Sequence, residues 1–283
     1  MSAEQIRREL EAAKKHYELD FLKKCESKLR KDLQKKFTKD YRLEKVELPA
    51  LTVANVAKVE AMIRADSKYT PNDYFRNDKY IPRLMKEFGE HLKHPDNDKG
   101  FDAVVEKVVE RIDIENSTHL TADCNDSYLH KNARGEMEDR IKKYKDDILP
   151  YLENPGSCRG INLVKELSEP TVGLKERRHL SFASKFCHYA CFYIFEGEDA
   201  QDNFSIYDSI VAKILPYYLD YYQNKIKLKK EFKPASKDYE IYSEAIGAVI
   251  KASGSRISRH GFDHLVWYYF KDKKRPKKQK NDE

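Results

Sequence analysis

Apolar residues in this chain recur three and four positions apart in segment after segment, and nowhere do they alternate over the length of a strand. Between 101 and 113, Phe101, Val104, Val105, Val108, Val109 and Ile112 fall on one face of a 3.6-residue repeat. Residues 52–67 repeat the pattern with Val53, Val56, Val59 and Met62, starting after Thr52, and residues 79–93 do so again. The β-branched runs are short and interrupted by helix formers. The fold class expected is therefore mainly α. Charged residues make up 36% of the chain against 40% hydrophobic, enough apolar surface for a core in a chain of this length, under a strongly hydrated surface.

The longest periodic segment is 4–37, rich in Glu, Lys, Leu and Ala and without Gly or Pro, where Ile6, Leu10, Ala13, Tyr17, Phe21 and Leu22 mark a narrow apolar stripe. It reads as one helical arm, packed on the body or used for self-association. Residues 114–133 read as polar and irregular, and 134–152 as a helix ending near Pro155-Gly156. Four segments result: a helical arm over 1–45, a helical lobe over 46–157, a core over 158–271 and a basic, disordered tail over 272–283. No stretch approaches the roughly 18 apolar residues of a membrane span, and the start of the chain has no signal-like apolar core, so a cytoplasmic protein without a membrane partner is expected. Five cysteines, an odd number at wide spacings (Cys25, Cys124, Cys158, Cys187, Cys191), do not read as a disulfide framework. Cys187 and Cys191 share a helix face beside His188 and read as buried thiols. The net charge of +6 suits a polyanionic partner.

The second half carries the chemistry. A short helix over 159–168 (Ile161, Leu163, Val164, Leu167) leads into a turn at Glu169-Pro170-Thr171-Val172-Gly173. A helix follows over 180–195, then an acidic loop over 196–203, then extended Phe204-Ser205-Ile206-Tyr207. Asp208 opens the next helix through Ile210, Val211, Ile214 and Leu215. Two more helices are expected over 237–252 and 261–271. The order helix, turn, helix, loop, Asp-capped helix resembles the helix-hairpin-helix DNA glycosylase superfamily. The nearest members in pattern are bacterial proteins with an 8-oxoguanine DNA glycosylase fold. The stretches that carry the likeness are Arg178-His179-Leu180-Ser181-Phe182-Ala183-Ser184-Lys185-Phe186-Cys187-His188-Tyr189, Phe204 to Val211, and Phe262-Asp263-His264-Leu265-Val266-Trp267-Tyr268-Tyr269. The likeness spans about 158–271.

That resemblance implies double-stranded DNA as partner, a flipped-out base, and Asp208 as the catalytic carboxylate. The physics agrees: N-glycosidic cleavage builds positive charge on the sugar, which a carboxylate stabilises. A carboxylate at a helix start is held by backbone N–H groups that favour its charged form. In the superfamily a hairpin turn offers N–H groups to a phosphate; here Gly173, Lys175, Arg177, Arg178 and Ser181 are the DNA-binding candidates. The usual first glycine of that turn is missing, and about 35 residues separate Gly173 from Asp208. The turn therefore lies either at Gly173 or nearer His179-Leu180. Aligned on Gly173, Lys175 takes the place of the family's Schiff-base lysine. Aligned on Ser181–Phe186, that place holds Ser181, and Lys185 lies one turn on, neutralising the pocket or a phosphate. The second alignment keeps the path into Asp208 and implies a monofunctional enzyme with no lyase lysine, no cofactor and no metal. Tyr207, His188, Tyr189, Trp267 and Tyr268 are the candidates to hold the base, with Phe262 as a further aromatic face. Two other readings use the same residues differently: a non-catalytic DNA-binding hairpin protein, and a helical interaction module working through 4–37.

Overall fold

The computed structural model describes residues 19–20, 22, 48–65, 80–94, 99–115, 120, 127–156, 161–170 and 178–271. The described chain is mainly helical: α1 Val53–Ala65, α2 Tyr80–Lys93, α3 Phe101–Glu115, α4 Ser127–Lys143, α5 Lys145–Glu153, α6 Leu163–Ser168, α7 Leu180–Ile194, α8 Ser209–Tyr221, α9 Tyr239–Ser253 and α10 Arg259–Lys271. Short 3-10 turns lie at Asp199–Asp202, Gln223–Lys225 and Pro234–Ser236. No helix among the described residues is long and apolar enough to cross a membrane.

The chain divides into two compact units, Met1–Ser67 with Asp208–Glu283, and Lys68–Tyr207. This partition runs differently from the expected boundary at 158. The reason is packing: α7 belongs with α2, α3, α5 and α6, whereas α8 belongs with α9 and α10, and α10 packs along α1.

In the unit that includes α7, that helix is the core element. Leu180, Phe182, Ala183, Phe186, Cys187, Ala190, Cys191 and Ile194 are buried, and Ser181, Tyr189, Phe192 and Tyr193 make a half-buried stripe on the other side. Gly89 lets α2 approach it: a Cβ there would stand 2.8 Å from Ile194 Cγ1. Phe88 meets Phe186 edge-on at 5.7 Å and stacks on Phe101 at 5.7 Å. Polar residues fix the ends. Asp113, nearly sealed on α3, accepts from Leu120 N (2.9 Å) and from Arg134 Nε (3.2 Å) and Nη2 (3.0 Å). Tyr144 ends α4, where an unbroken helix over 134–152 is expected, and α5 starts immediately after it. The α4 helix also begins at Ser127, inside the segment expected to be irregular, because Ala133, Met137 and Ile141 bury a face that the polar residues before them do not announce.

In the other unit, α8 is the central helix, burying Ile210, Val211, Ala212, Ile214, Leu215, Tyr217 and Tyr218. Tyr218 stacks edge-on with Phe262 of α10 at 5.7 Å and donates its hydroxyl to Pro49 O at 2.8 Å. The α1 and α10 helices come together at Gly261, where a Cβ would stand only 2.9 Å from Val56 Cγ1. A second tie involves Asn55, fully buried: its Oδ1 accepts from Asp20 N, and its Nδ2 donates to Asp20 O and Ala50 O. Leu22 N donates to Leu48 O, and Ala50 N donates to Asp20 O. Residues 19, 20 and 22 are therefore not helical, which corrects the expectation of one unbroken helix over 4–37. Their backbone groups bond to a distant segment and to Asn55 instead of to the preceding turn, a tertiary preference that overrides local propensity. The rest of the expected arm, and the expected tail over 272–283, lie outside the described residues.

Candidate functional site

The hairpin that leads towards Asp208 is built from α6 and α7. The α6 helix starts at 163, later than the expected 159, because the Asn162 side chain caps it by accepting from Lys165 N at 3.0 Å. It ends at Ser168, whose carbonyl accepts from His179 N at 2.8 Å. That bond ties the start of α7 to the end of α6. Arg140 of α4 holds the exit from α6, with Nη1 donating to Glu169 O (2.6 Å) and Nη2 to Pro170 O (2.8 Å). Gly173, Lys175 and Arg177 lie outside the described residues, so of the expected phosphate contacts only Arg178, exposed, and Ser181, half-buried, have a described place.

The second hairpin helix, α7, carries most of the other expected residues. Ser184, fully buried, accepts from Tyr207 N at 2.9 Å and donates to Ser181 O at 3.2 Å. It anchors the extended 204–207 segment at the residue immediately before Asp208. His188 does the same from one turn further on: it is 1% exposed, and its Nδ1 pairs with Phe204 O at 2.8 Å. This is a positioning role in the packing, and it replaces the expected contact with a base. Lys185 is buried with them, so it is no ordinary surface lysine with a buried stem. Tyr189 is half-buried and stacks with Tyr193 at 6.4 Å. Cys187 and Cys191 are free, buried thiols, as expected. Burial pushes both well above the ordinary thiol range, helped by the charge of Asp202 at Cys191 and by the neighbouring Cys191 at Cys187, which leaves them unreactive.

Asp208 is the N-cap of α8, with extended backbone (φ −122°, ψ 141°). Its Oδ1 accepts from Ile210 N at 2.6 Å and from Val211 N at 3.4 Å. Its own carbonyl accepts from Ala212 N at 2.8 Å, starting the helix ladder. The residue is half-buried, so the cap carboxylate is not sealed in the core. Behind it lies a group that sequence reasoning misses. Tyr242 of α9 is fully buried and hydrogen-bonded to the Asp208 backbone. Its hydroxyl is held well above the usual phenol range, first by burial and then by the negative charges of Asp263 and Asp208. Asp263 is itself buried on α10. Asp208, Tyr242 and Asp263 thus form one polar group within a single unit, carrying two carboxylates around a phenol that stays protonated. The only sequence signal for it is an acidic residue inside an otherwise apolar helix face.

The expected aromatic contacts separate by burial. Phe262 is fully enclosed and belongs to the core, which removes it as an aromatic face for a base. Tyr268 is 8% exposed, and Trp267, its neighbour on α10, is half-buried. Tyr207 is also half-buried.

Comparison with known proteins adds one relative. The chain is 30% identical over 146 residues to a protein of Haemophilus influenzae (strain Rd) described as an uncharacterized protein, an alignment covering 51% of this chain and 59% of that protein. The chain therefore spans about three-fifths of the length of the curated relative it matches. No protein-family model matches the chain, and no solved structure does.

Proposed function

We propose that this chain is a monofunctional DNA N-glycosylase that excises a damaged or otherwise modified base from double-stranded DNA, with Asp208 as the catalytic carboxylate. The observation that carries the reading is the state of Asp208. It follows, in chain order, two tied helices and an anchored extended segment, and it is half-buried. One carboxylate oxygen is bound by two helix-start amides, and the other takes part in neither bond.

In the reaction the bond between C1′ and the base nitrogen breaks and its electron pair leaves with the base. The Asp208 carboxylate stabilises the oxocarbenium-like sugar by charge. Water adds its oxygen to C1′. One water proton stays on that oxygen as the new C1′ hydroxyl and the other ends on the departing base, leaving an abasic sugar in an intact strand. Helix-start amides hold the carboxylate in place without a rearrangement at the moment of reaction. Lys185, buried on α7, is not assigned a covalent role. Arg178 and the net positive charge of the chain add sequence-independent attraction to phosphate. Half-buried Trp267, in the same unit as Asp208, is the residue proposed to contact an extruded base, which is an oxidised purine or a bulkier modified base of the kind viral genomes carry.

The test is incubation of the full chain with duplexes carrying modified or plain bases, followed by alkali to cut abasic sites. Wild type yields alkali-labile strands from a modified duplex and Asp208→Asn does not. Equal yields from both proteins would remove Asp208 from the mechanism. Salt-sensitive binding with no labile product on any substrate would establish a non-catalytic DNA-binding protein instead.

A further inference from the structure

A second group of donor side chains lies apart from the chemistry above, on the faces where α1 and α10 meet. Glu60 stands one turn beyond Val56, the residue against which Gly261 packs. That close approach brings the α1 carboxylate to two histidines of α10, His260 and His264, which are one turn apart. One ligand atom from each of Glu60, His260 and His264 lies within 4.8 Å of the other two. Glu60 Oε1 and His264 Nδ1 are 3.9 Å apart, and the two imidazole rings have centroids 3.9 Å apart. The side chains are partly desolvated, at 33% exposure for Glu60 and 24% for His264.

We propose that Glu60, His260 and His264 form a mononuclear site for a borderline divalent transition ion, Zn2+ foremost. Two imidazole nitrogens with one carboxylate oxygen are a donor set that suits such ions, and that leaves a fourth position to water or to an exogenous ligand. Tetrahedral bonds of about 2.0–2.2 Å place donor atoms about 3.4 Å apart. The trio, with all three donor atoms within 4.8 Å of one another, stands within about 1.4 Å of that spacing. Histidines at i and i+4 on α10 supply the two nitrogens from one rigid face, and Gly261 between them keeps α1 near enough to deliver the carboxylate. The ion cross-links α1 to α10, segments some 200 residues apart in sequence, within one compact unit. No step of the proposed base excision passes through this trio, so the two assignments stand or fall separately.

The test uses the full chain, stripped with a chelator and desalted. Titration calorimetry with Zn2+ should show one saturable site per chain that weakens about tenfold or more in Glu60→Gln, in His260→Ala and in His264→Ala. The Co2+ adduct should show visible d–d bands of nitrogen and oxygen ligation without a sulfur-to-cobalt band. Circular dichroism checks that each variant keeps its helices, and if a histidine variant does not, the near-isosteric Glu60→Gln decides alone. Absence of saturable uptake, unchanged affinity in Glu60→Gln, or a sulfur-to-cobalt band pointing to cysteine ligation would each overturn the assignment.

Discussion

Replacing Asp208 by Asn and by Ala separates its two jobs, because the cap needs an acceptor and the chemistry needs a charge. In the structure one short bond (2.6 Å to Ile210 N) and one long one (3.4 Å to Val211 N) hold the carboxylate, so the cap amounts to a single good hydrogen bond. Asp208→Ala removes that bond at a half-buried site and should cost about 1 kcal/mol, the usual price of losing a helix N-cap. Asn is as good an N-cap as Asp, so Asp208→Asn loses only the interaction of the charge with the helix start, about 0.3–1 kcal/mol. Urea denaturation followed by far-ultraviolet circular dichroism reads both. The variants should order as wild type, Asn, Ala, with Asn nearer to wild type, and with unchanged dependence on urea concentration. Base excision should order differently, with Asn and Ala both inactive. If Asp208→Asn destabilised the chain as much as Asp208→Ala, the carboxylate would hold the fold by its charge and not by its acceptor. If the two variants retained excision in proportion to their stability, Asp208 would be a cap and nothing more.

Other consequences follow from the same packing. Burial first, then the charges of Asp263 and Asp208, raise the Tyr242 phenol, and burial raises Tyr218; an unfolded tyrosine titrates near pH 10. Their contribution to stability is therefore complete below about pH 10 and is lost above it, at about 1.4 kcal/mol per pH unit for each group. Urea midpoints should fall steeply on the alkaline side, and Tyr242→Phe should flatten that fall by one group's worth; an unaltered slope would contradict the burial argument. Gly261→Ala should gain about 1 kcal/mol in helix propensity but lose about 2 kcal/mol to overpacking against Val56, a net loss of about 1 kcal/mol that Val56→Ala should restore; a stabilised single variant would refute the close approach. Asp113→Ala strands the Leu120 amide and Arg134 and should cost about 3 kcal/mol, readable as a lowered urea midpoint, whereas a change under 1 kcal/mol would show that Arg134 is readily rehydrated.

Much of the hairpin and its sequel was legible in the sequence because local signals and tertiary packing agree there. The apolar residues of 180–194 mark a helix. Asp208 before Ile210 and Val211 marks a cap. The β-branched and aromatic residues of 204–207 mark an extended approach. Legibility failed where distant contacts decide the backbone. Asp20 and Leu22 sit among helix formers, yet Asn55 and the 48–50 segment take their backbone bonds. His188 looked available because its surroundings could be read as a pocket, but the Phe204 carbonyl claims it. The two carboxylates near Tyr242, and the trio of Glu60, His260 and His264, each join residues far apart in sequence. Periodicity within one helix reveals only the fragment His260-x-x-x-His264 and says nothing of its partner on α1.

The central claim concerns a bond to C1′ and the water that replaces it, and the released base is its most direct product. Mass spectrometry of the small-molecule fraction, after single-turnover incubation of the full chain with a modified duplex, reads that product without alkali treatment. The account predicts free modified base from wild type, an unbroken strand, and no free base from Asp208→Asn. A strand cut at the modified site without alkali would show lyase chemistry and return a lysine to the mechanism. No free base from wild type on any modified duplex, or as much from Asp208→Asn, would contradict the account.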